Sequence, residues 1–404
     1  MSDDSPVKSP GRSTEHLAGL ALVLLAVVCL GPLLADRPPV AWAEPSTSAA
    51  ERWGAKVLVI LLMGLAVGLR ARLDCADEPR PRLLALTLVL LAGLMTACHG
   101  LLVDQFEERA DWQRALYLQI LNHHCDPPHQ YRPLPYGFVR GLERLTGDWW
   151  FSCVAYRWFF TYWFLWGCYR FARLFHAPRQ ALLALLSVPL LYPFSVLWYW
   201  GQLTDPLSHA LFVLALIYLV QDRRLLLAGT LALGVMAKET VLLVVPGYAA
   251  CYWRRGWPTL ARTIALGAAG AAAFLVVRLP LGWRPGNADL NGLDALMIGT
   301  NLGIGPPIAH SAAPLYQNYL QPLLFVGTFL PFIIGNWRRL DGRLRIVFLT
   351  LTPLLLLSNL CFGWMYESRN YMPLVPLLAS MAVPPHRPAQ PPPLPPQGGE
   401  GASR

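Results

Sequence analysis

Long apolar runs and short polar connections alternate along most of the chain. The apolar blocks fall at 17–35, 55–70, 83–103, 150–170, 180–200, 206–221, 224–237, 240–253, 259–279, 319–336, 344–360 and 371–384. Many come close to the roughly 20 residues that a helix needs to cross a bilayer. The pattern predicts an all-α protein, a polytopic transmembrane helical bundle of about 11–12 spans with outer-face loops and short interfacial helices. The first block is longer than a signal-peptide core and reads as a membrane anchor. Residues 1–16 are then a cytoplasmic N-terminal tail and 17–384 a membrane domain, with a long outer loop at 104–149 and a second at 280–318. Residues 385–404, "PHRPAQPPPLPPQGGEGASR", are too rich in Pro and Gly to bury anything and read as a disordered cytoplasmic tail.

Composition agrees with this pattern. The chain is 55% hydrophobic and only 14% charged, against about 25% charged in soluble domains. The net charge of +9 would point to nucleic acid in a soluble chain, but topology accounts for it here, and no nucleic-acid partner is expected. With a cytoplasmic N-terminus, the inner connections are "RARLDCADEPRPR", "YRFARLFHAPR", "QDRR", "WRRGWPTLAR" and "NWRRLDGRLR". These hold 16 of the 33 basic residues, as the positive-inside rule requires. The expected setting is a multi-pass protein of the bacterial inner membrane, with both termini cytoplasmic. The eight cysteines are scattered without a CxxC pair and read as buried thiols.

One stretch tests the layout. "VMAKETVLLV" places Lys238 and Glu239 inside an apolar run from Leu225 to Cys251, where unpaired charges are expensive. A single helix through 224–253 would put "WRRGW" outside. Two short helices hinged at "AKET" keep those arginines inside and carry Lys238 and Glu239 to an outer hairpin tip.

The outer segments hold the candidate chemistry. Asp104, Glu107, Glu108 and Asp111 are spaced i, i+3, i+4 and i+7, one face of one helix. Such a stripe is either a solvated acidic rim or a group of carboxylates that needs a cation or a shared proton. "HHCDPPH" offers metal-ligand residue types at 123–129, but its prolines make it a turn, and no metal is assigned to it. A divalent cation is left open as a cofactor. Arg132 in "QYRPLPYG" sits on a stiff extended piece suited to gripping an anion; a salt bridge to Glu143 or Asp148 is the competing reading. Asp205 in "TDP" fits ordinary turn and helix-start chemistry. Glu367 and Arg369 in "YESRNY" repeat the motif of a charged pair at an outer rim. Lysine and arginine there would hold a phosphate, and a carboxylate would accept the proton of an incoming hydroxyl.

Four pieces carry a resemblance: "DQFEERADWQRALYLQIL", "YRPLPYGFVRGLERL", "GTLALGVMAKET" and "ESRNYMPLVPLL". In this order and topology, over roughly 85–385, the sequence resembles the GT-C superfamily of integral-membrane glycosyltransferases. Here the acidic loop follows the third apparent span, whereas superfamily members usually place it after the first. The resemblance implies transfer of a sugar from a polyprenyl-phosphate donor to a lipid or glycan acceptor of the envelope on the outer face. It implies a base role for Asp111, with Asp104, Glu107 and Glu108 as rivals, and phosphate binding by Lys238 with Arg132 and Arg369 in support. Glu239, Glu367 and Asp205 complete the expected substrate site. The alternative is a secondary transporter or flippase for an anionic or lipid-linked substrate. Its polar site would lie near the midplane, where His99, Arg157 and His209 are the scattered candidates. A non-catalytic membrane scaffold is the third reading, and it requires that the rim charges be freely replaceable.

Overall fold

The computed structural model describes residues 81–100, 107–125, 129–197, 202–282, 298–302, 319, 322–363, 365 and 367–384. The first two apolar blocks, both tails, Asp104 and most of 280–318 lie outside the described residues. Among the described residues the protein is all-helical, without strands. Its helices are α1 (Pro81–His99), α2 (Glu107–Leu121), α3 (Pro133–Thr146), α4 (Trp149–Ala172), α5 (Pro178–Leu197), α6 (Thr204–Val220), α7 (Arg224–Ala237), α8 (Val244–Tyr252), α9 (Trp257–Arg278), α10 (Leu330–Asn336), α11 (Gly342–Phe362) and α12 (Val375–Ala382), with a single turn at Ile298–Leu302. Two of them, α9 and α11, are long and apolar enough to cross a membrane.

Local chemistry sets the breaks that matter for the site. Asp148 caps α4, its carboxylate accepting from the Phe151 amide, and Asp341 caps α11 through the Arg343 amide; such caps satisfy donors a helix start leaves orphaned. Gly147 ends α3 in the left-handed conformation, φ 74°, which glycine adopts without strain. Helix α7 stops at Ala237, and Lys238 is extended, φ −165° and ψ 131°. A 3₁₀ segment, Glu239–Leu243, then leads into α8. Pro246 lacks the amide that a helix running straight through 237–246 would need, but it is tolerated in the first turn of a new one. The same device recurs at Ser368–Leu374, a 3₁₀ segment containing Pro373 that precedes α12.

Packing turns these breaks into a two-ended bundle. At one end the Asp222 carboxylate accepts from Arg255 at 2.6 Å and from the Tyr248 hydroxyl at 2.9 Å, and Arg343 donates to the Val220 carbonyl. The starts of α7 and α11 and the end of α8 therefore meet there. At the other end the α7–α8 turn meets the start of α6, the end of α9, the start of α3 and the segment before α12. A large core runs through α1, α4–α8, α11 and α12. A smaller one is built from Leu116, Tyr117 and Ile120 of α2, Tyr136 and Val139 of α3, Tyr156 of α4, Leu207 of α6 and Ala237 of α7. It seats α2 and α3 across the second end. The apolar side of α2, with Leu116, Tyr117 and Ile120, is thus buried against protein, and the helix begins at Glu107.

A close approach between a helix backbone and a stiff side chain lies at the α7 turn. A Cβ on Gly234 would stand 2.6 Å from Val241 Cγ1 and 2.9 Å from Cγ2, whereas one on Gly229, in the same helix, meets nothing within 4 Å. Valine is stiff about χ1 and cannot swing aside. Gly229→Ala should therefore raise stability by up to about 1 kcal/mol through helix propensity. Gly234→Ala should lower it by about 1–3 kcal/mol through overpacking. Thermal denaturation of the two variants in detergent checks the opposite signs.

Candidate functional site

The α7–α8 turn carries two adjacent ionisable residues into two connected ion-pair groups. Lys238 Nζ lies 3.4 Å from Asp205 Oδ1 and donates to Asn370 Oδ1 at 2.8 Å. Arg369 Nη1 donates to Asp205 Oδ2 at 3.2 Å, and Nη2 to Glu367 Oε2 at 3.0 Å. Asn370 also donates to Glu367 Oε2, at 2.9 Å, and the Gln202 amide donates to Asp205 Oδ2 at 3.1 Å. One residue further on, Glu239 is held by Arg132, at 3.0 and 3.2 Å to Oε2, and by Arg278 at 2.6 Å to Oε1. The Arg278 guanidinium stacks 3.6 Å from the Phe274 ring centroid and 4.5 Å from that of Tyr131, a geometry that arginine's planar, weakly hydrated cation favours.

These groups are nearly all buried. Lys238, Asp205, Glu367, Arg369 and Arg278 are each 5–8% exposed. Among the described residues four cations (Arg132, Lys238, Arg278 and Arg369) face three carboxylates (Asp205, Glu239 and Glu367), one positive charge in excess. Burial pushes the Lys238 ammonium down to about 8 against the pull of Asp205. Burial of Glu239 raises its carboxyl, but Arg132 and Arg278 reverse that and leave it below the ordinary value. His129 borders the same groups; burial, with Arg132 next, lowers it to about 3, so it is neutral and adds no charge at neutral pH. Arg278 Nη1 is buried with no hydrogen-bond partner among the described residues. A buried guanidinium donor left open in a region of excess positive charge is suited to an anion.

The expected substrate residues Lys238, Glu239, Arg132, Asp205, Glu367 and Arg369 thus converge in space. The competing salt bridge from Arg132 to Glu143 or Asp148 is not formed. Arg132 pairs with Glu239, Glu143 accepts from the Tyr117 hydroxyl, and Asp148 caps α4. Asp205 combines the expected helix-start role with a buried ion pair. The acidic stripe behaves differently. Asp111 is exposed on α2 and joins none of these bonds; Glu107 and Glu108 open the same helix. Around 123–129, His123 and His124 are exposed and Cys125 is buried in the smaller core. Among the described residues no three His, Cys, Asp or Glu side chains are grouped as a metal site.

Arg278 and Asn370 were not singled out in the sequence, and His129 was weighed only as a metal-ligand type. Arg278 had a usable signal, since it ends an apolar run whose start lies at the "WRRGW" end and must therefore finish beside Lys238. Asn370 had none, because nothing in one asparagine marks it as the acceptor for a lysine 132 residues away.

Glu239 is the shared acceptor of two arginines, whereas Asp111 is solvated. Glu239→Gln should cost about 3–5 kcal/mol, the range for removing one partner of a buried ion pair, and Asp111→Asn should stay within about 0.5 kcal/mol. Chemical or thermal unfolding of the purified variants in detergent measures both.

No family model, no curated protein and no solved structure matches this chain.

Proposed function

We propose that the protein is a multi-pass membrane glycosyltransferase of the GT-C kind, taking a sugar from a polyprenyl-phosphate donor to an envelope acceptor on the outer face. The observation that carries the reading is the buried cluster with its excess positive charge and open Arg278 donor, located at the end of the bundle away from the exposed arginines. Phosphate esters carry negative charge and several acceptor oxygens, which such a cluster would satisfy.

Membrane residence is supported by the way α9 and α11 are exposed. They have mean hydropathies of 1.9 and 1.8, yet only 17% and 33% of their most apolar windows are buried within the fold. A soluble core helix of that hydropathy would be mostly covered. At about 1.5 Å per residue, their 22 and 21 residues reach about 30 Å, the thickness of a bilayer core. Leu225, Trp253, Trp257, Ile264, Val276 and Phe362 also stand exposed, as lipid-facing and interfacial side chains would.

Orientation follows from arginine. Arg223, Arg224, Arg254, Arg255, Arg338, Arg339 and Arg343 are exposed at one end, which makes that end cytoplasmic and the Lys238 cluster outer. A narrow cavity adjoins the cluster at Asp205 and Arg369 and continues to Met95, Phe164 and Val196. Its wall mixes apolar Met95, Phe164 and Val196 with hydrogen-bonding Thr161, Tyr192, Ser195 and Gln202. In this reading Lys238, Arg369, Arg278 and Arg132 receive the phosphate. The α2 stripe, with Asp111 foremost, is the base if the acceptor arrives from solvent.

Two measurements test this. Lys238 is charged below about pH 8 and neutral above, so polyprenyl-phosphate affinity should fall as pH rises through that value. Lys238→Arg should remove the dependence, and Lys238→Met should weaken binding about 10- to 100-fold at pH 7, from roughly 1.5–3 kcal/mol for a hydrogen bond to a charged group. A pH-independent affinity would count against phosphate at this site. For topology, a single cysteine at 145 should label with an impermeant thiol reagent in intact cells, and one at 254 should not; the reverse pattern would invert the bundle.

A further inference from the structure

The stretch read as the second outer loop has one short described turn, Ile298–Leu302, and within it Asn301 is 0% exposed. Asn301 Nδ2 lies within hydrogen-bond distance of three carbonyls at the end of α11, those of Asn359 at 3.2 Å, Leu360 at 2.9 Å and Gly363 at 2.8 Å. Its Oδ1 accepts from the Met365 amide at 3.1 Å. Carbonyls on one side and an amide on the other fix which way the carboxamide faces. The last carbonyls of a helix have no partners within it. Here a side chain 58–62 residues away serves them.

From Met365 the connection continues to the ion-pair cluster. The Met365 carbonyl accepts from the Tyr371 hydroxyl at 2.9 Å, which closes the chain from 365 to 371 into a loop. Glu367 lies on that loop, and its Oε2 receives both Arg369 and Asn370. Because Asn370 gives its Nδ2 to Glu367, its Oδ1 is left to face Lys238, at 2.8 Å, closer than Asp205 at 3.4 Å. A Cβ on Gly363 would stand 3.5 Å from Asn370 Nδ2, so the end of α11 that Asn301 serves adjoins the same carboxamide. Tyr371, Met372 and Leu374 are anchored in the large core. The stretch before them, which carries Glu367, is tied at Met365 to Asn301.

We propose that Asn301 is a positioning residue for the phosphate site, setting through Met365 and Glu367 where Asn370 and Arg369 meet Lys238. The proposal rests on the phosphate-binding reading above and deepens it: the 298–302 turn takes part in donor binding without touching the donor. Asn301 has no charge, and its carboxamide is committed to backbone groups. Without it, three α11 carbonyls and the Met365 amide lose their partner, and Glu367 is freed to move. Asn370 can then turn its carboxamide away from Lys238, and Arg369 loses the anchor of its Nη2. Binding a phosphate would have to order these side chains again, which costs affinity. Linkage makes the effect reciprocal: a phosphate ester that holds Lys238 and Arg369 in place also holds the turn at 298–302.

The test uses the full chain in nanodiscs, with polyprenyl phosphate as the probe. Asn301→Ala should weaken polyprenyl-phosphate affinity about tenfold, the scale of a neutral hydrogen bond, and Asn370→Ala should do about the same. Because Asn301 acts through Asn370, the double variant should stay below about 30-fold, short of the roughly 100-fold that independent sites would give. A merely structural role would lower the melting temperature of Asn301→Ala and leave the affinity of the folded protein unchanged. On the wild type, polyprenyl phosphate should slow hydrogen–deuterium exchange in peptides covering 298–302 as well as in those covering 363–371. That measurement does not depend on any variant folding. If the wild type binds polyprenyl phosphate but Asn301→Ala keeps its affinity within about twofold, or the two losses multiply, or the slowing is confined to 363–371, the proposal falls and the phosphate reading stands. If the wild type binds no polyprenyl phosphate, both fall.

Discussion

The Asp205 carboxylate, held between Lys238 and Arg369, is the interaction on which the rest of this structure depends. Each of the three ions is at least nine-tenths buried, and taking any one of them from water alone would cost several kcal/mol. They are tolerable only together and only with their remaining hydrogen bonds made. Asn370, Glu367 and the Gln202 amide supply those bonds. The start of α6, the end of α7 and the segment before α12 must therefore end at one level. Neither α7 nor the last apolar run can be a continuous helix, because both must break where their charge is delivered. Pro246 and Pro373 stand just beyond those breaks.

The two ends of the bundle contain the same kinds of residue in opposite states. Around Asp222 the arginines are exposed, so their pairs are screened and contribute little. Around Asp205 and Glu239 they are enclosed, because α2 and α3 are seated over that end by the smaller core of Tyr117, Tyr136, Tyr156 and Leu207. Enclosure changes what the charges can do. A desolvated cluster with one surplus cation attracts an anion far more strongly than an exposed one of the same composition, and for that reason the proposed phosphate site is placed at this end.

The proposed division of labour follows from neighbouring environments. In the proposed reading lysine and arginine side chains meet the phosphate, and the adjoining cavity, lined by Met95, Phe164 and Val196 together with Thr161, Ser195 and Gln202, lies beside them. Asp205 separates the two. Its negative charge is consumed structurally by Lys238 and Arg369. Asp111, in water on the outer face of α2, retains its charge but shares no bond with this assembly.

Periodicity and charge placement determined much by themselves. The apolar runs marked α1, α4–α9, α11 and α12 to within a few residues, because a helix-length apolar segment has few alternatives, whereas α2 and α3 lie in the stretch read as an outer loop and α10 covers only the end of the run at 319–336. The arginine asymmetry required a turn at Lys238–Glu239, and the extended Lys238 and the 3₁₀ segment after it are found there. Convergence of Arg132, Asp205, Lys238, Glu239, Glu367 and Arg369 could be anticipated as far as all six belong to one end. Who pairs with whom was decided only by tertiary structure. Arg132 had acidic neighbours in sequence at Glu143 and Asp148, yet its partner is Glu239, 107 residues away, because the smaller core seats α3 against α4, α6 and the end of α7. The acidic stripe looked like the centre of the chemistry because four carboxylates on one face form a strong local pattern. Burial is not local, and Asp111 remained in solvent while Asp205, a plain turn residue by its sequence, was enclosed. A helix's period can be read from its own residues, but the dielectric around a charge is set by whatever the rest of the chain packs against it.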